Sequence, residues 1–147
     1  MATTHRVIVA GSRTIVDYAF FRRQFIKYLK SLPPGEVEVI TGRAPHGPDD
    51  MAYHFCKWDS YEPKPKLKEM PADWDEHGKR AGYLRNADMA SYASKGHNGG
   101  RLFSMYDGES KGTLHMNKLA RDEELKLKLF VVDPPDEPIS EILNYRL

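Results

Sequence analysis

The sequence predicts a three-layer α/β fold with a mostly parallel sheet, and three observations support this. Short, near-continuous apolar runs recur along the chain, which is typical of strands covered on both faces. Segments with the 3.6-residue periodicity of amphipathic helices separate these runs. The alternation of the two kinds of segment is the pattern of parallel strands joined by crossover helices. The chain has 147 residues, so we expect a single domain over residues 1–147.

Five apolar runs predict the strands of the sheet. Four of them are clear and one is weaker. The clear runs are Val7–Ala10, Val37–Ile40, Leu102–Tyr106 and Leu127–Val132, and the weaker run is Leu67–Met70.

The first predicted helix has the most complete set of signals. Apolar residues spaced i, i+4, i+7, i+8 and i+11 from Phe21 form one face. Asp17 can cap the start of the helix, and Pro33-Pro34-Gly35 ends it.

Three further helices and a C-terminal segment complete the prediction. A proline at the first position and two aspartates in the first turn favour a helix starting at Pro48. A third helix is predicted from about Trp74 to Ala93, and a fourth from near Gly112 to about Glu124. A linker at Asp133-Pro134-Pro135 and a short helix over Ile139–Leu143 are expected at the C-terminal end.

Composition excludes several classes of protein. The formal net charge of +1 gives no strong field for nucleic acid or acidic lipid, and no apolar stretch reaches the length of a membrane span. The lone Cys56 excludes an internal disulfide and fits a reducing compartment, where we expect it as a packed thiol. We therefore expect a cytoplasmic protein. The six histidines lack metal-ligand spacing, so neither a metal site nor a cofactor is predicted.

Four predicted loops should meet at one edge of the sheet. In an open parallel sheet, ligands bind at the carboxyl ends of the strands. That rule gathers Ala10–Thr14, Thr41–Asp49, Asp73-Trp74 and Asp107–Thr113.

These loops carry the chemistry of an anion site. Their glycines allow backbone N–H groups to approach a ligand, and each loop precedes a predicted helix N-terminus. Hydroxyl groups and cations are available from Ser12, Thr14, Ser110, Thr113, Arg13, Arg43 and Lys111. The alternative is a set of ordinary tight turns whose arginines are solvated.

One face of the third predicted helix is unusual. Gly78, Gly82, Arg85 and Met89 follow one another at helical spacing, and Asn86 adjoins the arginine. Glycines within a helix are costly, so they indicate a close approach by another helix, a second subunit or a ligand. These alternatives remain open.

Taken in order, these motifs resemble a known family. The pattern is Gly11-Ser12-Arg13, Thr41-Gly42-Arg43-Ala44, Gly47-Pro48-Asp49-x-x-Ala52, Ala72-Asp73-Trp74, Gly78, Ala81-Gly82, Arg85-Asn86-x-x-Met89 and Asp107-Gly108-x-Ser110-x-Gly112-Thr113. It is similar to the YspA-like branch of the SLOG superfamily, which includes the Lonely Guy enzymes and the DNA-processing protein DprA. The resemblance covers about residues 7–132. It implies a Rossmann-like fold that binds a nucleotide or nucleotide-derived ligand, often as a homodimer.

The resemblance assigns ligand-binding residues in all four loops and in the third helix. These are Gly11, Ser12, Arg13, Gly42, Gly47, Asp49, Asp73, Trp74, Arg85, Asn86, Ser110, Gly112 and Thr113, and Arg43 joins them as a loop cation.

The chain departs from the family's phosphoribohydrolases in one respect. Their glycine-rich phosphate loop is followed within three residues by a catalytic glutamate, whereas Leu114, His115 and Met116 follow Thr113 here. Cleavage of an N-glycosidic bond is suited to a carboxylate. The catalytic candidates are therefore Arg85, which matches the family's arginine, with Asp73 or Asp49 in place of the glutamate.

Three functions follow as expectations. The first is a sensor or sequestering protein that binds a nucleotide-type ligand without turning it over. The second is an N-glycosidase of the phosphoribohydrolase type acting on nucleoside monophosphates. The third, a single-stranded nucleic-acid-binding module, is disfavoured by the near-neutral charge, despite a small basic patch at Lys64, Lys66 and Lys68.

Overall fold

A single mixed sheet forms the centre of the protein. The computed structural model describes residues 3–132 and 141–142. The strands are β1 (Thr4–Gly11), β2 (Glu36–Thr41), β3 (Lys66–Glu69), β4 (Arg101–Tyr106), β5 (Lys126–Val131) and β6 (Glu141–Ile142). Their spatial order is β3-β2-β1-β4-β5-β6; the first five are parallel, and β6 is antiparallel to β5. The predicted Rossmann-like three-layer α/β fold is confirmed.

Helices cover both faces of the sheet. They are α1 (Tyr18–Ser31), α2 (Pro48–Trp58), α3 (Trp74–His77), α4 (Ala81–Ser94) and α5 (Lys111–Asp122), with a 3₁₀ turn at Gly78–Arg80. Helices α1 and α2 pack on one face of the sheet, and α4 and α5 pack on the other. Within the described residues, no helix combines the length and apolar character needed to span a bilayer.

The local signals in the sequence explain where the helices start. The carboxylate of Asp17 accepts a hydrogen bond of 3.1 Å from the backbone N–H of Phe20, which caps α1. Pro48 is the first residue of α2, where its missing N–H costs nothing. Helix α1 ends at Ser31, just before the two prolines.

The prediction of one continuous helix from Trp74 to Ala93 is wrong. Helix α3 ends at His77, and Gly78 has a φ of +58°, which interrupts the regular helix before α4 begins. Gly78 therefore does not share a helical face with Gly82 and Arg85. A Cβ at Gly78 would meet no atom within 4 Å, so the left-handed backbone, rather than a close neighbour, explains this glycine.

The helix expected over Ile139–Leu143 is wrong at the two residues the structure describes. Glu141 and Ile142 form β6, whose partners on β5 are Phe130 and Leu129. The edge of β5 offers backbone groups that need hydrogen-bond partners, and a short strand supplies them. The predicted linker at Asp133-Pro134-Pro135 and the remainder of the predicted helix lie outside the described residues.

The core beneath α1 and α2 is aromatic. The ring centroid of Phe25 lies 5.1 Å from those of both Phe55 and Phe103. Cys56 is buried in the same cluster, and burial raises the pKa of its thiol to about 12. The prediction that Cys56 is a packed thiol is therefore confirmed, because a protonated, buried sulfur is a poor nucleophile.

Candidate functional site

A cleft opens at the carboxyl edge of the sheet between β1 and β4. The chain leaves β1 toward α1 on one face and leaves β4 toward α5 on the other, so the two loops diverge. This divergence is the topological switch point at which open α/β sheets bind ligands. The cleft encloses about 380 Å³.

Residues from three of the four predicted loops and from α4 line the cleft. The loop after β1, the loop after β2 and the loop after β4 all contribute. The predicted site residues that line it are Gly11, Arg13, Asp49, Arg85, Asn86, Ser110, Gly112 and Thr113.

The loop after β4 is organised by the carboxylate of Asp107. It accepts backbone hydrogen bonds from Glu109 at 2.9 Å and Ser110 at 2.8 Å, and a hydroxyl bond from Thr14 at 2.9 Å. Burial alone would raise the pKa of Asp107, but these hydrogen bonds outweigh it and hold the pKa below its usual range. Asp107 therefore stays ionised and holds the loop in its turn. Sequence reasoning did not select it, although the order Asp107-Gly108-x-Ser110 is typical of such a turn.

The first turn of α5 faces the cleft. Ser110 caps the helix, and its hydroxyl oxygen accepts from the backbone N–H of Thr113 at 3.4 Å. The N–H groups of Lys111 and Gly112 fall in the first turn, where the helix itself supplies no acceptor. A Cβ at Gly112 would have no neighbour within 4 Å, so the backbone here is open to the cleft.

Ser12 joins two loops instead of pointing at open space. Its side chain is buried, and its hydroxyl donates to Thr113 Oγ1 at 3.3 Å. The same oxygen accepts from the backbone N–H of Asp107 at 3.0 Å. The hydroxyl of Ser12 is thus used to fix the loops after β1 and β4 relative to each other.

Arg85 is held at two points on the wall of the cleft. Its Nη1 donates to the carbonyl oxygen of Gly42, and its Nε donates to Asn86 Oδ1 at 2.9 Å. A Cβ at Gly42 would collide with the guanidinium group, so this glycine makes room for the arginine. Burial lowers the pKa of Arg85, while the nearby carboxylate of Asp49 opposes the shift.

Asp49 is the second acid that lines the cleft, beside Asp107. Only 5% of the residue is exposed, and burial raises the pKa of its carboxyl to about 6. Arg85 and the backbone N–H groups of Ala44 and Gly11 favour the ionised form and limit the rise. A carboxyl group that titrates near pH 6 in a cleft can take up or release a proton at physiological pH.

The structure does not bring Arg43 into the cleft. Its Nη1 forms an ion pair of 3.0 Å with Glu69. Its guanidinium lies 3.6 Å from the ring centroid of Tyr53, in cation–π geometry. Gly47, which precedes α2, also lies outside the cleft lining; its φ is +83° and a Cβ would meet Ser12 O at 2.6 Å.

Asp73 lies at a second, smaller cleft of about 260 Å³, which shares Arg85 with the first, whereas Trp74 lines neither cleft. Asp73 also caps α3, accepting from the backbone N–H of Glu76 at 3.1 Å. Trp74 is 53% exposed, and its ring lies 3.4 Å from the position of a Cβ at Gly82. That distance is an ordinary van der Waals contact, so no neighbour among the described residues requires a glycine at position 82.

Comparisons with known proteins give limited information. No family profile and no solved structure matches the chain. The sequence is similar to the Gene 61 protein of Mycobacterium phage D29, with 36% identity over 87 residues. The aligned part covers 57% of this chain and 66% of the phage protein, just under two thirds of it. The name of that protein specifies no activity, so the function is inferred from the cleft.

Proposed function

We propose that the protein binds a nucleotide or nucleotide-derived ligand in the cleft between β1 and β4, with a phosphate at the first turn of α5. This proposal rests on one observation: cationic side chains and the first turn of a helix line the same cleft. Arg13 and Arg85 supply two positive charges, and Gly112 opens the first turn of α5 to the same space. Backbone N–H groups and the positive end of a helix dipole favour an anion there.

The charges in the cleft also indicate what else the ligand carries. Two acids line the same space: Asp107 stays ionised, and Asp49 is ionised above about pH 6, so a second phosphate placed beside Asp49 would be repelled. The oxygens of Asp49 can accept hydrogen bonds from hydroxyl groups. A ligand with one anionic end and a neutral, hydroxyl-bearing part, such as a nucleoside monophosphate, fits this arrangement. A volume of about 380 Å³ falls within the range of small-molecule sites.

Membership of the SLOG superfamily, a homodimer and a cytoplasmic location remain predictions from the sequence. They agree with the proposed function, which rests on the residues that line the cleft.

Thermal unfolding with paired ligands tests the proposal. Nucleoside monophosphates should raise Tm, and the matching nucleosides without phosphate should not, because binding to the native state stabilises it by mass action. In Gly112→Val, a β-branched side chain would enter the open space above the helix turn and abolish the shift. Equal shifts with nucleosides and nucleotides, or an unchanged shift in Gly112→Val, would refute a phosphate site at α5.

A second candidate, an N-glycosidase, is favoured by one specific observation. Asp49 is a buried carboxyl with a pKa of about 6 in the same cleft as Arg85, which is the setting of a general acid or base. Under the binding proposal, the protein releases no free base from nucleoside monophosphates. Chromatography that shows multiple-turnover release, lost in Asp49→Asn and kept in Asp73→Asn, would establish the glycosidase instead.

The structure adds nothing in favour of a nucleic-acid-binding module. Of the three lysines of the small basic patch, Lys66 forms an ion pair with Glu36 at 3.1 Å, and Lys64 donates to the backbone oxygen of Asp59.

A further inference from the structure

We propose that His115 and Asn86 are positioning residues for Arg85, and that His115 holds Arg85 toward the cleft only while its imidazole is neutral. The inference rests on a chain of hydrogen bonds from α5 through α4 to the end of β2. It concerns the regulation of the proposed site and therefore rests on the proposed function for its consequence, although the chain itself can be tested without a ligand.

Arg85 fixes which group donates and which accepts in this series of hydrogen bonds. A guanidinium group can only donate hydrogen bonds, so the atom of Asn86 that faces Arg85 Nε at 2.9 Å must be the carbonyl oxygen. The other end of the same amide is then the NH₂ group. It lies 3.2 Å from His115 Nδ1 and 3.4 Å from the carbonyl oxygen of Gly112.

This arrangement determines the tautomer of His115. Because Asn86 presents a donor, His115 Nδ1 must accept, and the proton of the neutral ring lies on Nε2. A second proton on His115 would place an N–H at Nδ1, so that two donors would face each other. Asn86 could restore that contact only by turning its amide over, which would set its NH₂ group against Arg85 Nε.

The groups around the imidazole favour the neutral form. From α4, the ring of Tyr83 packs edge-on against His115 at a centroid distance of 4.7 Å, and Asn86 contacts its Nδ1. On α5 itself, the lysines nearest in sequence are Lys111, one turn before, and Lys118, one turn after. Burial lowers the pKa of His115 below its usual value, so the ring is neutral at pH 7.

Arg85 has a second anchor that remains when Asn86 turns. Its Nη1 bond to the carbonyl oxygen of Gly42 is independent of the amide. Protonation of His115 should therefore loosen Arg85 rather than release it. The expected result is a weaker anion site, by about fivefold for one hydrogen bond.

Nuclear magnetic resonance on the ¹⁵N-labelled protein without ligand tests the positioning role. The Arg85 Nε–H and Asn86 side-chain amide signals should move between pH 5 and 8 with the midpoint of the His115 imidazole. His115→Gln should abolish that step, because a glutamine can accept from Asn86 and does not titrate. His54→Gln is the matched control, since His54 lies on α2 in contact with Asp50 and Trp58.

The nearby Asp49 titrates in the same range, and its effect on Arg85 persists in His115→Gln. The difference between the two titration curves therefore isolates the contribution of His115. If the Arg85 and Asn86 signals follow the same curve in wild type and His115→Gln, or stay unmoved while His115 protonates, the positioning role is refuted.

Sulfate binding at pH 5.0 and 7.5 tests the consequence for the site, because sulfate stays a dianion throughout. The ratio of affinities at pH 7.5 and 5.0 should be about fivefold higher in wild type than in His115→Gln. An equal ratio in the two proteins would refute the coupling to the cleft. Failure of both proteins to bind sulfate, with the resonance result intact, would leave the positioning role standing and count against the proposed phosphate site.

Discussion

The two faces of the sheet are built from different chemistry. The face beneath α1 and α2, here the aromatic face, packs Phe21, Phe25, Phe55 and Phe103 together. The face beneath α4 and α5, here the polar face, buries isoleucines, leucines, alanines and methionines together with several polar side chains. Those buried polar residues include Asn86, Ser104, Thr113 and Asn117.

This contrast indicates that one face of the sheet mainly provides stability and the other mainly provides the site. Large aromatic side chains bury the most apolar area and fill space rigidly. The polar face carries groups that cost stability, and it also supplies Arg85, Asn86 and the first turn of α5 to the cleft. We infer that the aromatic face anchors the fold while the polar face carries much of the site.

The largest expected effect is on the aromatic face. Phe103→Ala removes a ring whose centroid lies 5.1 Å from that of Phe25 and 5.3 Å from that of Phe130. The free energy of unfolding should fall by about 3–5 kcal/mol because a cavity remains. Denaturant unfolding measures it, with Ser104→Ala on the opposite face of β4 as the control. If Phe103→Ala lowers the free energy of unfolding no more than Ser104→Ala does, the contrast between the two faces of the sheet is contradicted.

The next largest expected effect is a pH dependence of the free energy of unfolding, which arises from Asp49. Its pKa rises from 3.8 in the unfolded chain to about 6 in the folded protein, so the folded state binds the proton more tightly. Stability from this residue is present below about pH 4 and is lost as the pH rises through 6. The cost at pH 7 is about 3 kcal/mol for a shift of about two pKa units.

Unfolding free energies at pH 4 and pH 7 for wild type and Asp49→Asn measure this cost. Asparagine cannot ionise, so the variant should lose about 2–2.5 kcal/mol less than wild type between the two pH values, because the unfolded carboxyl is already partly ionised at pH 4. Identical pH dependence in the two proteins would show that Asp49 is not buried as the structure has it.

On the polar face, a substitution at Asn117 should raise the free energy of unfolding instead of lowering it. Its side chain is fully buried, and neither its nitrogen nor its oxygen has a hydrogen-bond partner among the described residues. Asn117→Leu should therefore raise the free energy of unfolding by about 1–3 kcal/mol. Asn86→Leu, which breaks hydrogen bonds to Arg85 and His115, should lower it. Destabilisation by Asn117→Leu would mean that its amide is hydrogen-bonded in solution.

Much of the fold could be predicted because apolar runs and helix caps are local signals. The strand at Val7–Ala10 and the cap at Asp17 need only neighbours in sequence to be recognised. The break at Gly78 was missed because helical spacing gives no indication that φ turns positive. The pairing of Glu141 with β5 was missed because strand addition depends on a distant sheet edge.

The candidate site was only partly predictable, since a sequence does not show which partner each side chain chooses. Arg43 and Arg85 are both cations near the sheet edge, yet Arg43 pairs with Glu69 while Arg85 enters the cleft. His115 is adjacent to the predicted phosphate loop, but its role depends on a contact with Asn86 that lies 29 residues away.

Thr113→Ala should have the smallest effect. Its hydroxyl bonds to Ser12 at 3.3 Å and Ser110 at 3.1 Å, so the change loosens the loops without removing a charge. Both the free energy of unfolding and the free energy of nucleotide binding should fall by about 1 kcal/mol. Calorimetry and denaturant unfolding measure the two. A loss of binding as large as that in an arginine variant would show that the hydroxyl itself holds the ligand.

Calorimetric titration of a nucleoside monophosphate into Arg85→Ala and Arg43→Ala tests the central claim most directly. Arg85 lines the cleft, whereas Arg43 is engaged by Glu69 and Tyr53. The account predicts that Arg85→Ala weakens binding by about 1.5–3 kcal/mol, as expected for a charge-assisted hydrogen bond, and that Arg43→Ala leaves it nearly unchanged. Equal losses in both variants, or wild-type affinity in Arg85→Ala, would contradict a phosphate site in this cleft.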